Sequence, residues 1–125
     1  MAIPGRIIVS FRTLLILAFL IFTYLMVSKP SGNLHGLIND KLAHGLGFFI
    51  LALVFEGAFP KVSWLWKGFI LIGYGLGIEI VQLYLSYRHF SWFDWLADIV
   101  GVLLFIPLVK PMHIVLRRIG SLSEP

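Results

Sequence analysis

There is no cysteine in these 125 residues, which excludes disulfides, thiolate zinc sites and cysteine nucleophiles together. Charge is scarce as well. Asp, Glu, Lys and Arg make up 13% of the chain against 59% hydrophobic residues, with a mean hydropathy of +0.95. A soluble domain with that balance would lack polar residues to cover its surface, so the composition points to an integral membrane protein. The net charge of +4 is carried by Lys and Arg residues spread over the ends of apolar runs, not on a continuous patch, and no nucleic-acid partner is expected. Period-2 strands, long repeats, a G-x-S-x-G elbow, a phosphate loop and a nucleotide fingerprint are missing too.

What is present is apolar length. A bilayer core takes roughly 20 mostly apolar residues per helical crossing, so a chain of this size crosses about four times. The runs fall near 7–27, 42–59, 68–87 and 92–109. "SKPSGN" (28–33) ends the first, Pro60 the second, "RHFS" (88–91) the third, and Pro107 with Pro111 the fourth. The first run has a basic start at Arg6 and Arg12 but no A-x-A-like cleavage site, and reads as a retained anchor. The expected fold is an all-α membrane protein, a compact bundle of four transmembrane helices forming a single domain over 1–125. With four spans both termini share a side. That side collects Arg6, Arg12, Lys61, Lys67, Lys110, Arg117 and Arg118, against Lys29, Lys41 and Arg88 on the other, which predicts cytoplasmic termini and extracytoplasmic loops at 28–40 and 88–91. Trp64 and Trp66 then sit at the inner boundary, and Tyr87, Trp92 and Trp95 at the outer one. Gly73 and Gly77 make a G-x-x-x-G step expected to admit a neighbouring backbone.

The polar residues that cost most in lipid gather in the outer halves of the spans, in three groups. "DKLAH" (40–44) places Asp40 and His44 one turn apart with Lys41 beside them; "GLGIEIVQ" (75–82) puts Glu79 and Gln82 on one face. "RHFSWFDWLADIVG" (88–101) supplies Arg88 and Ser91, then Asp94, Asp98 and Gly101 on one stripe. A short turn near His89 and Phe90 makes the third and fourth helices antiparallel neighbours, with Gln82 level with Asp98 and Glu79 level with Gly101. A carboxylate near mid-helix costs about 2.5 to 3.5 kcal/mol in lipid on the mildest scale, so Glu79, Asp94 and Asp98 must face inward. The expected pocket has Asp94 and Asp98 as one wall and Glu79 and Gln82 as the other, with Lys41, His44 and Arg88 as the cations at that level. Ser91 is placed to cap the fourth helix. Glu56 is expected to pair with Lys61 or Lys67, and Arg12 to snorkel at the opposite end.

Taken in order, D-K-x-x-H, G-x-x-x-E-x-x-Q and R-x-x-S-x-x-D-x-x-x-[ND]-x-x-G resemble the VanZ-like family of bacterial membrane proteins, over a core motif region of 40–101. The resemblance implies a small multi-pass protein of the bacterial inner membrane, whose namesake lowers susceptibility to the lipoglycopeptide teicoplanin. The family's polar positions fall on Asp40, Lys41, His44, Glu79, Gln82, Arg88, Ser91, Asp94, Asp98 and Gly101. The family often has Asn where this chain has Asp98, a departure that adds a negative charge.

Three functions fit these residues. The first is a binding module for an amphipathic anionic envelope lipid or a lipid-linked antibiotic, with Asp40, Lys41, Gln82, Arg88, Ser91 and Asp94 lining the site. The second is an enzyme modifying an envelope lipid, with Glu79 or Asp98 as general acid or base and His44 assisting. The third is a structural or accessory protein whose polar cluster only fixes packing. Three carboxylates and an imidazole are compatible with a divalent cation. Their spacing matches no H-E-x-x-H signature, however, and neither a metal nor a cofactor is expected.

Overall fold

The computed structural model describes residues 3–29 and 39–122, with the backbone alone at Asp40. Those residues are helical, with no strand among them: α1 (Gly5–Val27), α2 (Asp40–Ala58), α3 (Trp64–Tyr84), α4 (Trp92–Phe105), a 3-10 turn (Ile106–Leu108) and α5 (Val109–Leu122). Four helical segments are long and apolar enough to cross a membrane, the last running from Trp92 to Leu122. Leu14, Ile16, Leu20, Leu65, Phe69, Phe93 and Leu103 point outward, a surface suited to hydrocarbon and not to water.

Two helix starts have a side-chain cap. Asn39 accepts a 2.8 Å hydrogen bond from the Leu42 amide and caps α2. Ser91 accepts from the Asp94 amide at 3.3 Å and caps α4. Replacing Ser91 by alanine is expected to cost about 1 kcal/mol of stability, measured as thermal unfolding in detergent micelles.

Helix α2 is the central element. It packs most extensively on α4 and next on α1, and half of its apolar window is buried against one tenth for α1. The α2–α4 approach is backbone to backbone. A Cβ built on Gly101 would lie 2.2 Å from the Gly45 carbonyl oxygen and 3.1 Å from the Phe49 amide nitrogen. The expected close approach at Gly73 and Gly77 does not occur, since both are exposed and a Cβ at either meets nothing within 4 Å. Between α1, α2 and α3 lies an aromatic layer in which Phe22 meets Phe48 edge to face at 5.3 Å and Phe19 meets Tyr74 at 4.8 Å.

Two boundaries differ from the sequence expectation. The third span begins at Trp64 and stops at Tyr84, not at Tyr87, so seven residues (85–91) cross to α4. The fourth does not end near Pro107 and Pro111. Pro107 opens the 3-10 turn and Pro111 sits in the first turn of α5, positions where a missing N–H leaves no helical bond unmade, and the chain stays helical to Leu122. At 1.5 Å per residue those 31 residues reach about 46 Å, more than a hydrocarbon core of about 30 Å, so α5 extends to the basic end of the bundle.

At that end Lys67, Glu56 and His113 meet. Lys67 is fully enclosed and donates to Glu56 Oε2, while His113 Nε2 lies 2.6 Å from Glu56 Oε1. Lys67 is one of the two partners expected for Glu56; His113 was not foreseen. Arg12 donates to the Ala58 carbonyl at 3.0 Å and stacks over the Phe59 ring at 4.6 Å.

Candidate functional site

At the other end, α2, α3 and α4 each turn acids or an imidazole into one buried chamber. His44 is the hub. Its Nδ1 lies 2.7 Å from Asp98 Oδ1, a charge-assisted hydrogen bond in which the imidazole donates to the carboxylate. With Nδ1 so engaged, Nε2 points at Glu79 Oε1, 3.7 Å away, and at Asp94 Oδ2, 3.9 Å away. His44 and Asp94 are almost wholly enclosed, and Glu79 and Asp98 have no exposed surface. The Phe22 ring stands edge-on to the imidazole at 6.1 Å, so the aromatic layer floors the chamber.

The second oxygens of the acids meet different surroundings. Glu79 Oε2 accepts the Ser91 amide at 2.9 Å, and Asp94 Oδ1 lies 3.6 Å from the Lys41 ammonium. Asp98 Oδ2 sits where Gly75 has no side chain, since a Cβ there would come within 2.6 Å of it. Glu79 Oε1, Asp94 Oδ1 and Asp98 Oδ2 receive no hydrogen bond from the described residues. Buried polar atoms are rarely left so, and each unpaired one costs about 1–3 kcal/mol.

Five of the expected site residues therefore converge: His44, Glu79, Asp94 and Asp98 inside, and Lys41 at the rim. Ser91 closes one side through its backbone. Two turn elsewhere. Gln82 Nε2 donates to the Met26 carbonyl at 2.8 Å, and Arg88 donates to the Leu25 and Ser28 carbonyls at 2.9 to 3.2 Å. The C-terminal carbonyls of α1 have no intrahelical donors, and these side chains satisfy them. Gln82 is thus not the wall facing Asp98. Gly75 holds that place, seven residues or about two helical turns away, because α3 ends early and the connection is wider than the four residues expected. Gly101 packs on α2 and not beside Glu79. The Asp40 side chain and most of the 28–40 loop lie outside the described residues.

No protein-family model matches the chain, and no solved structure matches it. A protein of the fission yeast Schizosaccharomyces pombe, described only as uncharacterized, is 40% identical over 68 residues. Those residues are 51% of this chain and 42% of the relative, so the chain spans less than half of that protein's length. The relative's printed description assigns no activity. It comes from a eukaryote, and so lends no support to the bacterial origin that the resemblance implies.

Chemically the chamber offers an oriented imidazole, two facing carboxylate oxygens and a third carboxylate behind the imidazole. That set can move a proton or coordinate a cation. Its formal charge is negative, which disfavours an anion inside it and leaves Lys41 as the group to meet one at the mouth.

Proposed function

We propose that this protein binds an amphipathic anionic ligand at the chamber end of its bundle, with the acyl portion between α2 and α4 and the head group at Lys41. The observation that carries this reading is an apolar groove of about 600 Å³ lined by Leu46, Phe49, Leu96, Val100 and Leu104 and ending at Lys41. The Lys41 side chain is 60% exposed, so its ammonium is free to swing from Asp94 to a phosphate or carboxylate. Arg88, engaged by α1, acts in this reading by fixing the helix that backs the site. The excess of Lys and Arg at the opposite end favours cytoplasmic termini, so that the groove faces the outer leaflet. On the VanZ-like resemblance the ligand is an envelope lipid or lipoglycopeptide, and the protein affects teicoplanin susceptibility in a bacterial membrane.

The test is photocrosslinking in nanodiscs with a phosphatidylglycerol bearing a diazirine on its acyl chain. Labelling is expected on α2 and α4, to fall at least about threefold in Lys41→Ala, and to be lost when Val100→Trp fills the groove. Labelling equal in all three proteins would remove the proposal. A second reading, acid–base chemistry on the head group, is favoured by the way Asp98 fixes His44 with Nε2 turned toward Glu79 and Asp94. It predicts a lipid species, visible by mass spectrometry, that depends on the protein and disappears in Glu79→Gln. An unchanged lipid inventory removes that reading.

A further inference from the structure

We propose that His44 Nε2, Glu79 Oε1 and Asp94 Oδ2 form a binding site for one divalent transition-metal ion, Zn²⁺ first, with Asp98 orienting the imidazole. The site borders the groove at Lys41, but none of its three ligand residues lines that groove. The three donor atoms come from α2, α3 and α4 and lie within 4.8 Å of one another. Nε2 stands 3.7 and 3.9 Å from the two oxygens. Neighbouring donors around a tetrahedral ion at about 2.1 Å are about 3.4 Å apart, so small side-chain rotations close the shell.

Three further observations point the same way. Two of the three donor side chains are held by their other atom, His44 through Nδ1 to Asp98 and Glu79 through Oε2 to the Ser91 amide, while Asp94 Oδ1 has the Lys41 ammonium 3.6 Å away. The remaining atoms are thereby aimed at one point. Glu79 Oε1 is fully buried and has no donor among the described residues, an arrangement that is costly unless a positive charge sits beside it. The Asp98–His44 contact is the carboxylate–histidine pairing that fixes tautomer and raises ligand basicity in metal sites.

Charge also balances. Glu79, Asp94 and Asp98 contribute three negative charges, Lys41 one positive and a neutral imidazole none, leaving a deficit that one divalent ion cancels. The imidazole argues against Mg²⁺ and Ca²⁺, which take oxygen donors, whereas one imidazole and two carboxylates in a tetrahedral arrangement suit Zn²⁺. Three protein ligands leave a fourth position open for water or a ligand atom.

The experiment uses the full chain in detergent micelles, stripped with chelator and dialysed, then titrated with Co²⁺ and followed by visible absorption. We expect d–d bands that saturate at about one Co²⁺ per chain and vanish on adding Zn²⁺, with about one Zn²⁺ per chain by plasma mass spectrometry. Asp98→Asn keeps all three ligands and should weaken binding about 10 to 100-fold, while Glu79→Gln should abolish the bands. If Glu79→Gln does not insert, the wild-type titration and Asp98→Asn decide the question alone. No d–d bands and zinc at the blank level would overturn the proposal. So would binding of equal strength in folded Glu79→Gln, which would place the ion elsewhere. Val100→Trp, which fills the groove, should leave the metal titration unchanged, so failure of the lipid proposal is read separately.

Discussion

Gly101→Ala should disrupt the bundle, whereas Gly73→Ala should leave it intact or more stable. The added methyl is the same, and both residues lie within helices. At Gly101 it would stand 2.2 Å from the Gly45 carbonyl oxygen and 3.1 Å from the Phe49 amide, and backbone cannot swing aside as a side chain can. Helices α2 and α4 must separate along the most extensive contact among the described residues, and with them His44 from Asp98. Overpacking of this kind costs about 1–3 kcal/mol and occasionally more; we expect the upper end because both obstacles are main-chain atoms. At Gly73 the methyl meets nothing within 4 Å, and alanine is favoured over glycine in a helix by up to about 1 kcal/mol. Thermal unfolding in one detergent reads both, and equal midpoints for the two variants would refute the packing described for α2 and α4.

The second large effect is expected at the opposite end. Glu56→Ala strands the Lys67 ammonium, which has no exposed surface, and strips His113 of its partner. Removing one member of a buried ion pair costs about 3–5 kcal/mol, because the remaining charge keeps its desolvation penalty and loses its compensation. Replacing both, as Glu56→Leu with Lys67→Met, removes the charge along with the partner and should recover most of that loss. Denaturant titration of the single and double variants checks this. A Glu56→Ala protein as stable as wild type would mean that Lys67 reaches water or another anion.

The helices and the inward direction of the acids were legible in the sequence for energetic reasons. Apolar runs of about 20 residues have few other destinations, and carboxylates at Glu79 and Asp98 are too costly in lipid to face outward. The meeting of His44 with Asp98 was legible only as membership of one pocket, because it depends on how α2 leans against α4. That lean is set by Gly101 against the backbone at Gly45, and glycine carries no polar signal. The register of α3 against α4 was missed because the chain leaves its helix at Tyr84 while the sequence remains apolar and aromatic through Tyr87, so hydropathy alone marks no boundary there. Arg88 and Gln82 read as site residues by charge and spacing. What claims them is the unsatisfied carbonyls at the end of α1, a demand of the backbone that no side-chain pattern announces. Pro107 and Pro111 looked like a stop, yet proline at the start of a new helical turn forfeits no hydrogen bond, and the helix resumes.

The buried chamber, and the metal site proposed in it, depend on His44 and Asp98 being joined across α2 and α4. A double-mutant cycle measures that joint directly, with His44→Ala, Asp98→Ala and the pair compared by reversible unfolding in mixed micelles. The structure predicts a coupling of about 1–3 kcal/mol, the double variant losing clearly less than the sum of the singles. Losses that simply add, to within about 0.5 kcal/mol, would show that the two side chains do not meet and that the chamber is not formed.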